Sequence, residues 1–319
     1  MFLKKFLKLC LLLMVMFTVA SEVAFSQTRG VEIEGQISKE ITYKDIVNQI
    51  VDSLNRNAQN LFGSGIKNKK IFSTKSKNGR DSLSLYYELN GSKYNLSVES
   101  DMSIVPDSEK LQGVEIVSPI LNNALDVQLF ALAVQDLSFY LGLLPQKSTS
   151  GFHVHIKAPD MNIKNIIRLL GLFSKVEDVF YEVFEVDSQR VKFASKTKQL
   201  YEKIKNNDGL RLGSTLGMES DLELNVLTRH YGLNLLSLLR FQTFEFRLFN
   251  STVLASEIMY IVEMSRRLVH MAYNEPELVD NFLNKESVKL DDISKLLKMS
   301  LKTFIDTRKN NKFLCEKLF

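Results

Sequence analysis

Four short stretches of this 319-residue chain each set two charged or imidazole side chains one residue apart among apolar neighbours. They are Glu32 and Glu34 in VEIEG, Glu99 and Asp101 in SVESD, His153 and His155 in GFHVHI, and Glu245 and Arg247 in FEFRLF. A period of two puts each pair on one face of a strand and the apolar residues on the other. Carboxylates in such number suit a hard divalent ion, Mg²⁺ or Mn²⁺, and two nearby imidazoles are spaced to share a metal or an anion. An arginine beside them suits a phosphoryl group in transfer. Metal, phosphate and arginine on one face point to nucleotide chemistry. The alternative is a solvated sheet face held by its own salt bridges and hydrogen bonds. Against it, solvated strand faces favour Thr, Lys and Ser over paired glutamates, and like charges two residues apart repel unless a cation bridges them.

The elements that must carry these pairs follow from periodicity. Residues Lys44 to Leu61 show helical spacing, with Ile46, Ile50, Val51, Leu54, Ala58 and Leu61 on one stripe. GSGIKNKK reads as a loop, and Asn90-Gly91 as the turn of a hairpin between two aromatic-rich strands. GVEIVSP is a further strand, stopped by Pro119, and Ala124 to Leu144 a buried helix. A long helix follows the HVH strand, from Met161 to Phe184, then a short one from Ser195 to Lys205. NNDGLRLGSTLGMESD is loop-like, TFEFRLFNST is again a strand, and helices are expected at Ala255 to Tyr273, Glu275 to Leu283 and Asp291 to Thr307. The expected class is α+β: a sheet with helices on its apolar face and an open, charged platform on the other.

Composition narrows the rest. With 45% hydrophobic and 24% charged residues, 14 Gly and 5 Pro, the chain is globular and helix-rich. A net charge of +4 gives no case for a nucleic-acid partner. Cys10 and Cys315 stand at opposite ends of the chain, which argues against a structural disulfide. The first 26 residues have the parts of a signal peptide or membrane-anchoring leader: Lys4, Lys5 and Lys8, an apolar core from Leu9 to Ala20, and Ala24-x-Ser26 before Gln27. The expectation is a protein exported or membrane-associated through this segment; the alternative is a cytoplasmic one with a later start codon.

Taken together, RGVEIEG, YNLSVESDMSI, GVEIVSP, GFHVHI and RHYGLNLLSLLRFQTFEFRLFN, in this order, resemble the amidoligase family of carboxylate-amine ligases, which includes glutamine synthetase and γ-glutamylcysteine synthetase. The resemblance runs from Arg29 to about Tyr273. It departs from the family pattern at Phe152, where leucine is common, and at Met102, where glycine is. It implies an antiparallel sheet curved into a half-barrel with helices outside, as in the glutamine synthetase catalytic domain. Three regions follow: the leader at 1–26, a catalytic domain at 27–273 and a helical extension at 274–319 packed on the same domain.

The activity implied is ATP-dependent amide-bond formation through an acyl phosphate, with ATP and Mg²⁺ or Mn²⁺ as cofactors. The partners implied are a carboxylate substrate and an amine, drawn from amino acids, peptides or cell-wall peptides. Residue by residue, Glu32, Glu34, Glu245 and His153 match metal ligands, and Arg247 with Glu245 the catalytic pair. His153, His155, Arg190, Arg229 and Asn234 match cofactor-binding positions, and Asp101 and Glu115 substrate contacts. Two other readings stay open. A metal-dependent hydrolase or cupin-like enzyme would use His153, His155 and Glu245 and needs a third histidine nearby; a non-catalytic member of the family would only bind its ligand.

Overall fold

The computed structural model of the chain describes residues 27–75, 81–146, 148–206 and 229–318. The leader expected at 1–26, and the loop expected at 206–221 from residue 207 onward, lie outside the described residues. Eight strands are β1 (Arg29–Ser38), β2 (Lys67–Lys75), β3 (Asp81–Leu89), β4 (Ser92–Ser100), β5 (Leu111–Val117), β6 (Gly151–Lys157), β7 (Leu233–Asn234) and β8 (Thr243–Asn250). They form one antiparallel sheet in the order β2-β3-β4-β5-β1-β6-β8-β7, which does not close. The class is therefore α+β.

Four long helices lie side by side: α1 (Tyr43–Phe62) against α2 (Ala124–Leu141), α2 against α6 (Ala255–Asn274), and α6 against α3 (Ile163–Val183). α1 meets β3 and β4, and α6 meets β6. Between helices and sheet lie Val31 and Ile33 of β1, Phe152, Val154 and Ile156 of β6, and Phe244, Phe246 and Leu248 of β8, each at most 1% exposed. This apolar face leaves the alternate residues of the same strands for the opposite side. Local chemistry fixes the ends of the elements. Thr42 and Asp45 form a capping box at the start of α1, and Gly63, at φ 69°, ends it. Asn90 and Gly91 both take positive φ, as the tight β3–β4 hairpin requires.

Two expectations are corrected. The loop read at GSGIKNKK becomes β2 from Lys67 onward. As the end strand of the sheet it is exposed almost throughout, so no buried face imprints alternation on its sequence, and its lysines guard a free edge. The single helix expected at Asp291 to Thr307 is two: α8 (Leu290–Leu297) and α9 (Leu301–Leu318). Lys298 adopts φ 50°, and Nη1 of Arg267 on α6 donates to the carbonyls of Leu297 (2.7 Å) and Lys298 (2.8 Å), holding the end of α8 open. Ser300 then accepts Thr303 N–H at 3.1 Å and starts α9. The C-terminal helices pack on this body: α7 (Pro276–Leu283) touches α3 and α6, Arg308 lies 2.9 Å from Glu257, and Phe304 stacks on Tyr260.

Candidate active site

Register gathers the polar side chains. Glu32 of β1 stands opposite His153 of β6, His155 opposite Glu245 of β8, and Glu245 opposite Asn234 of β7. Toward the other end of the sheet, Glu34 faces Glu115, and Glu115 faces Glu99. One irregularity aims the arginine. Between the pairs Phe152↔Phe249 and Val154↔Phe246, two residues of β8 oppose one of β6. This bulge sends both Leu248 and Phe249 into the core and leaves Arg247 on the side of Glu245.

The platform is a recess rather than an open face: the His153 side chain is 2% exposed, and even Glu32 only 25%. Glu32 joins both histidines, with Oε2 at 3.1 Å from His153 Nδ1 and Oε1 at 3.2 Å from His155 Nε2. Glu34 Oε1 lies 3.7 Å from His153 Nε2, and its Oε2 accepts the Gly151 N–H. Glu245 is clamped from two sides, by the Asn234 amide at 2.5 Å and by the Arg247 guanidinium. Thr243 Oγ1 (3.0 Å) and Ser237 Oγ (3.2 Å) meet His155 Nδ1, and the two hydroxyls are 2.7 Å apart. Ser237 lies on the short helix α5 (Leu236–Phe241), and α4 (Thr197–Asn206) precedes it in the chain.

These contacts set the ionisation. Burial pushes the Glu32 carboxyl up, but the hydrogen bond to His153 and the close approach and charge of both histidines outweigh it and hold it well below the ordinary range. Burial opposes ionisation of Glu245 too, and Arg247 with the histidines overcomes it. His155 is lifted by Glu32 and Glu245 against burial. Glu115 goes the other way: burial raises its carboxyl well above the ordinary range, and Glu32, Glu34, Asp101 and Glu99 add to the rise.

The residues fit a divalent cation. One donor atom each from Glu32, His155 and Glu245 lies within 4.8 Å of the others, and the buried Nε2 atoms of His153 and His155 have no satisfactory hydrogen bond. Carboxylates with one imidazole suit Mg²⁺ or Mn²⁺.

The remaining expected residues stand at the margins of this group. Arg190, 1% exposed, borders the recess: its Nη2 and His153 Nε2 crowd the same side of Gly151, Glu34 favours its charge against burial, and it donates to the carbonyls of Thr149 (3.5 Å) and Arg247 (3.1 Å), bracing the bulge. Asp101 accepts the N–H (2.8 Å) and hydroxyl (2.7 Å) of Ser103 in the turn after β4, and Arg229 is exposed. The third histidine that a hydrolase reading needs is not in the trio: His230 is exposed, and His270 sits on α6 beside Asn274. Sequence reasoning missed Ser237, Thr243 and Gly151. Thr243 carried a signal, since it shares the face of Glu245 two residues on. A Cβ at residue 151 would stand 2.4 Å from Arg190 Nη2 and 2.7 Å from His153 Nε2, so any side chain there would displace the Arg190 guanidinium and the His153 ring.

No curated protein matches the chain. Residues 26–269, which carry every strand of the sheet and the whole recess, match the family described as "putative amidoligase enzyme", and the chain belongs to that family.

Proposed function

We propose that the chain is an ATP-dependent carboxylate-amine ligase acting through an acyl phosphate. The observation that carries this reading is the pairing, in one recess, of the Glu32, His155 and Glu245 donor trio with an arginine tied to Glu245. The fold supports it as well, an antiparallel sheet with helices on one face being compatible with a glutamine synthetase-like catalytic domain. In the first step a substrate carboxylate oxygen attacks the γ-phosphorus of ATP and ADP leaves. The amine nitrogen then attacks the acyl carbon, loses a proton, and phosphate departs with the carboxylate oxygen.

Glu32, His155 and Glu245 would hold a divalent cation, with Glu34 and His153 beside them; the cation offsets the charge of two anions brought together. Arg247 presents a planar fork to the phosphoryl group in transit. Asn234 and Arg190 keep Glu245 and the bulge in place. The carboxylate row of Glu34, Glu115 and Glu99 suits the cationic form of an amine. The low exposure of the recess keeps water from an acyl phosphate that it would hydrolyse.

The test is phosphate release with ATP and Mg²⁺ across panels of amino acids and peptides, cell-wall peptides included, using a carboxylate labelled with oxygen-18. One labelled oxygen in the released phosphate is expected. ATP turnover without label transfer would exclude the acyl phosphate, and no turnover with any pair would remove the ligase reading. Because ATP is cytoplasmic, this reading places the domain on the cytoplasmic side, with residues 1–26 as a tether or a later codon as the start. A mature Gln27 terminus in an exported fraction would overturn that placement.

A further inference from the structure

We infer that Ser237 and Thr243 are positioning residues that fix the ring of His155, making His155 rather than His153 the histidine that meets a cation held by Glu32 and Glu245. The inference rests on the proposed cation site and adds to it the groups that orient one ligand.

The two imidazoles differ in what their nitrogens touch. Those of His153 face carboxylates on both sides, Glu32 at 3.1 Å from Nδ1 and Glu34 at 3.7 Å from Nε2, so this ring serves as a bridge between the acids of β1. His155 instead has Nδ1 among hydroxyls, Thr243 at 3.0 Å and Ser237 at 3.2 Å, with the hydroxyls themselves 2.7 Å apart. Its Nε2 is buried and turned to Glu32 Oε1 at 3.2 Å, and His155, unlike His153, stands in the donor trio with Glu32 and Glu245. A ligating histidine has this arrangement: one nitrogen donates to an outer group that sets tautomer and ring angle, and the other is left for the metal. Nδ1–H donating to Thr243 Oγ1, with the two hydroxyls bonded in turn, puts the lone pair on Nε2, toward the carboxylates. Phe241 packs edge-on against the ring, centroids 6.1 Å apart at 86°, and limits its rotation. Ser237 is 2% exposed, and Thr243 is fixed by pairing opposite Lys157, so the clamp stands on rigid elements.

The experiment is Mn²⁺ binding to the whole chain without nucleotide, read by the electron paramagnetic resonance of free Mn²⁺. Thr243→Val keeps the shape of the side chain and removes its hydroxyl; affinity is expected to fall roughly 10- to 100-fold. Thr243→Ser should restore binding close to wild type, and Ser237→Ala should fall between them. Nitrogen-15 spectra of the histidines in the presence of Mg²⁺ should show His155 protonated at Nδ1 and bare at Nε2, a signature that loss of packing alone would not produce. Unchanged Mn²⁺ affinity in Thr243→Val, or loss of binding in His153→Gln with His155→Gln unaffected, would overturn this inference while leaving the cation site standing. Wild-type chain that takes up no Mn²⁺ would overturn both.

Discussion

The two ends of the polar face use the same residue type to opposite effect. Around β6, β8 and β7, glutamates are matched: Glu32 lies between two histidines, Glu245 between Asn234 and Arg247, and both carboxyls are held below the ordinary range. Along β5 and β4 the face continues as Glu115 and Glu99, with Asp101 beyond, and Glu115 is pushed well above it. Burial penalises charge at both ends, so partners decide the sign. The matched end is organised before any ligand arrives, and the crowded end stores repulsion that a cation or an ammonium group would relieve.

Glu32 is the hinge of the contrast, because it serves the matched end and also adds to the crowding of Glu115. Glu32→Gln is expected to have the largest effect, lowering Mg²⁺-dependent ATP turnover at least about a hundredfold, since a direct ligand should matter no less than the outer groups that orient one. Circular dichroism should show the fold intact. Normal turnover would mean that the matched end is a structural ion-pair network. Arg247→Lys is the next largest. Lysine keeps the charge but loses the fork, so kcat should drop on the order of 10- to 100-fold while ATP affinity moves little. A change confined to affinity would make Arg247 a ground-state contact.

Much of this contrast was legible in the sequence, because alternation in VEIEG and GFHVHI fixes which side chains share a face. Strand order was not: nothing local says that β6 lies between β1 and β8, which is what brings His155 to Glu245 from 90 residues away. The bulge is visible only as a break in alternation at Leu248-Phe249. Arg190 stands in DSQRVKF with no alternation to place it, and only the fold brings it beside His153 and ties it to the carbonyls of Thr149 and Arg247. Ser237 and Thr243 escaped notice because hydroxyls mark function only through the nitrogen they touch. β2 escaped because an exposed end strand has no buried face to write a pattern.

Glu115→Gln sharpens the comparison at the crowded end. A carboxyl whose folded value is raised binds its proton more tightly in the native state, so its contribution to stability is full below the ordinary value of 4.5 and is lost as pH rises through the folded value. Without divalent ions, Tm of the wild-type chain should therefore fall as pH rises above 4.5. Glu115→Gln should flatten that fall and be a few degrees more stable at pH 8. Adding Mg²⁺ should flatten it in the wild type. A slope unaffected by both changes would show that the crowding is not felt.

The smallest expected effect comes from Glu177, a buried glutamate on the helix side that serves as the control. It accepts the backbone N–H groups of Thr197 (2.7 Å) and Lys198 (2.8 Å) at the start of α4. Burial still raises it to about 7, because those hydrogen bonds only partly offset desolvation. The sign is the same as for Glu115: stability is full below 4.5 and lost as pH rises through about 7. The cause differs, since desolvation outweighs the charge of Asp178 here, and among the described residues the metal-binding trio lies elsewhere. Glu177→Gln keeps an acceptor for one of the two N–H groups and turns an amide nitrogen to the other, a loss set against removal of the buried charge, so Tm at pH 8 should change by no more than about a few degrees while the slope between 4.5 and about 7 flattens. That part of the slope should persist when Mg²⁺ is added to the wild type. If Mg²⁺ erases the Glu177 part as well, the ion acts on the whole fold rather than at the acid row, and the division of the polar face into a matched and a crowded end loses its support.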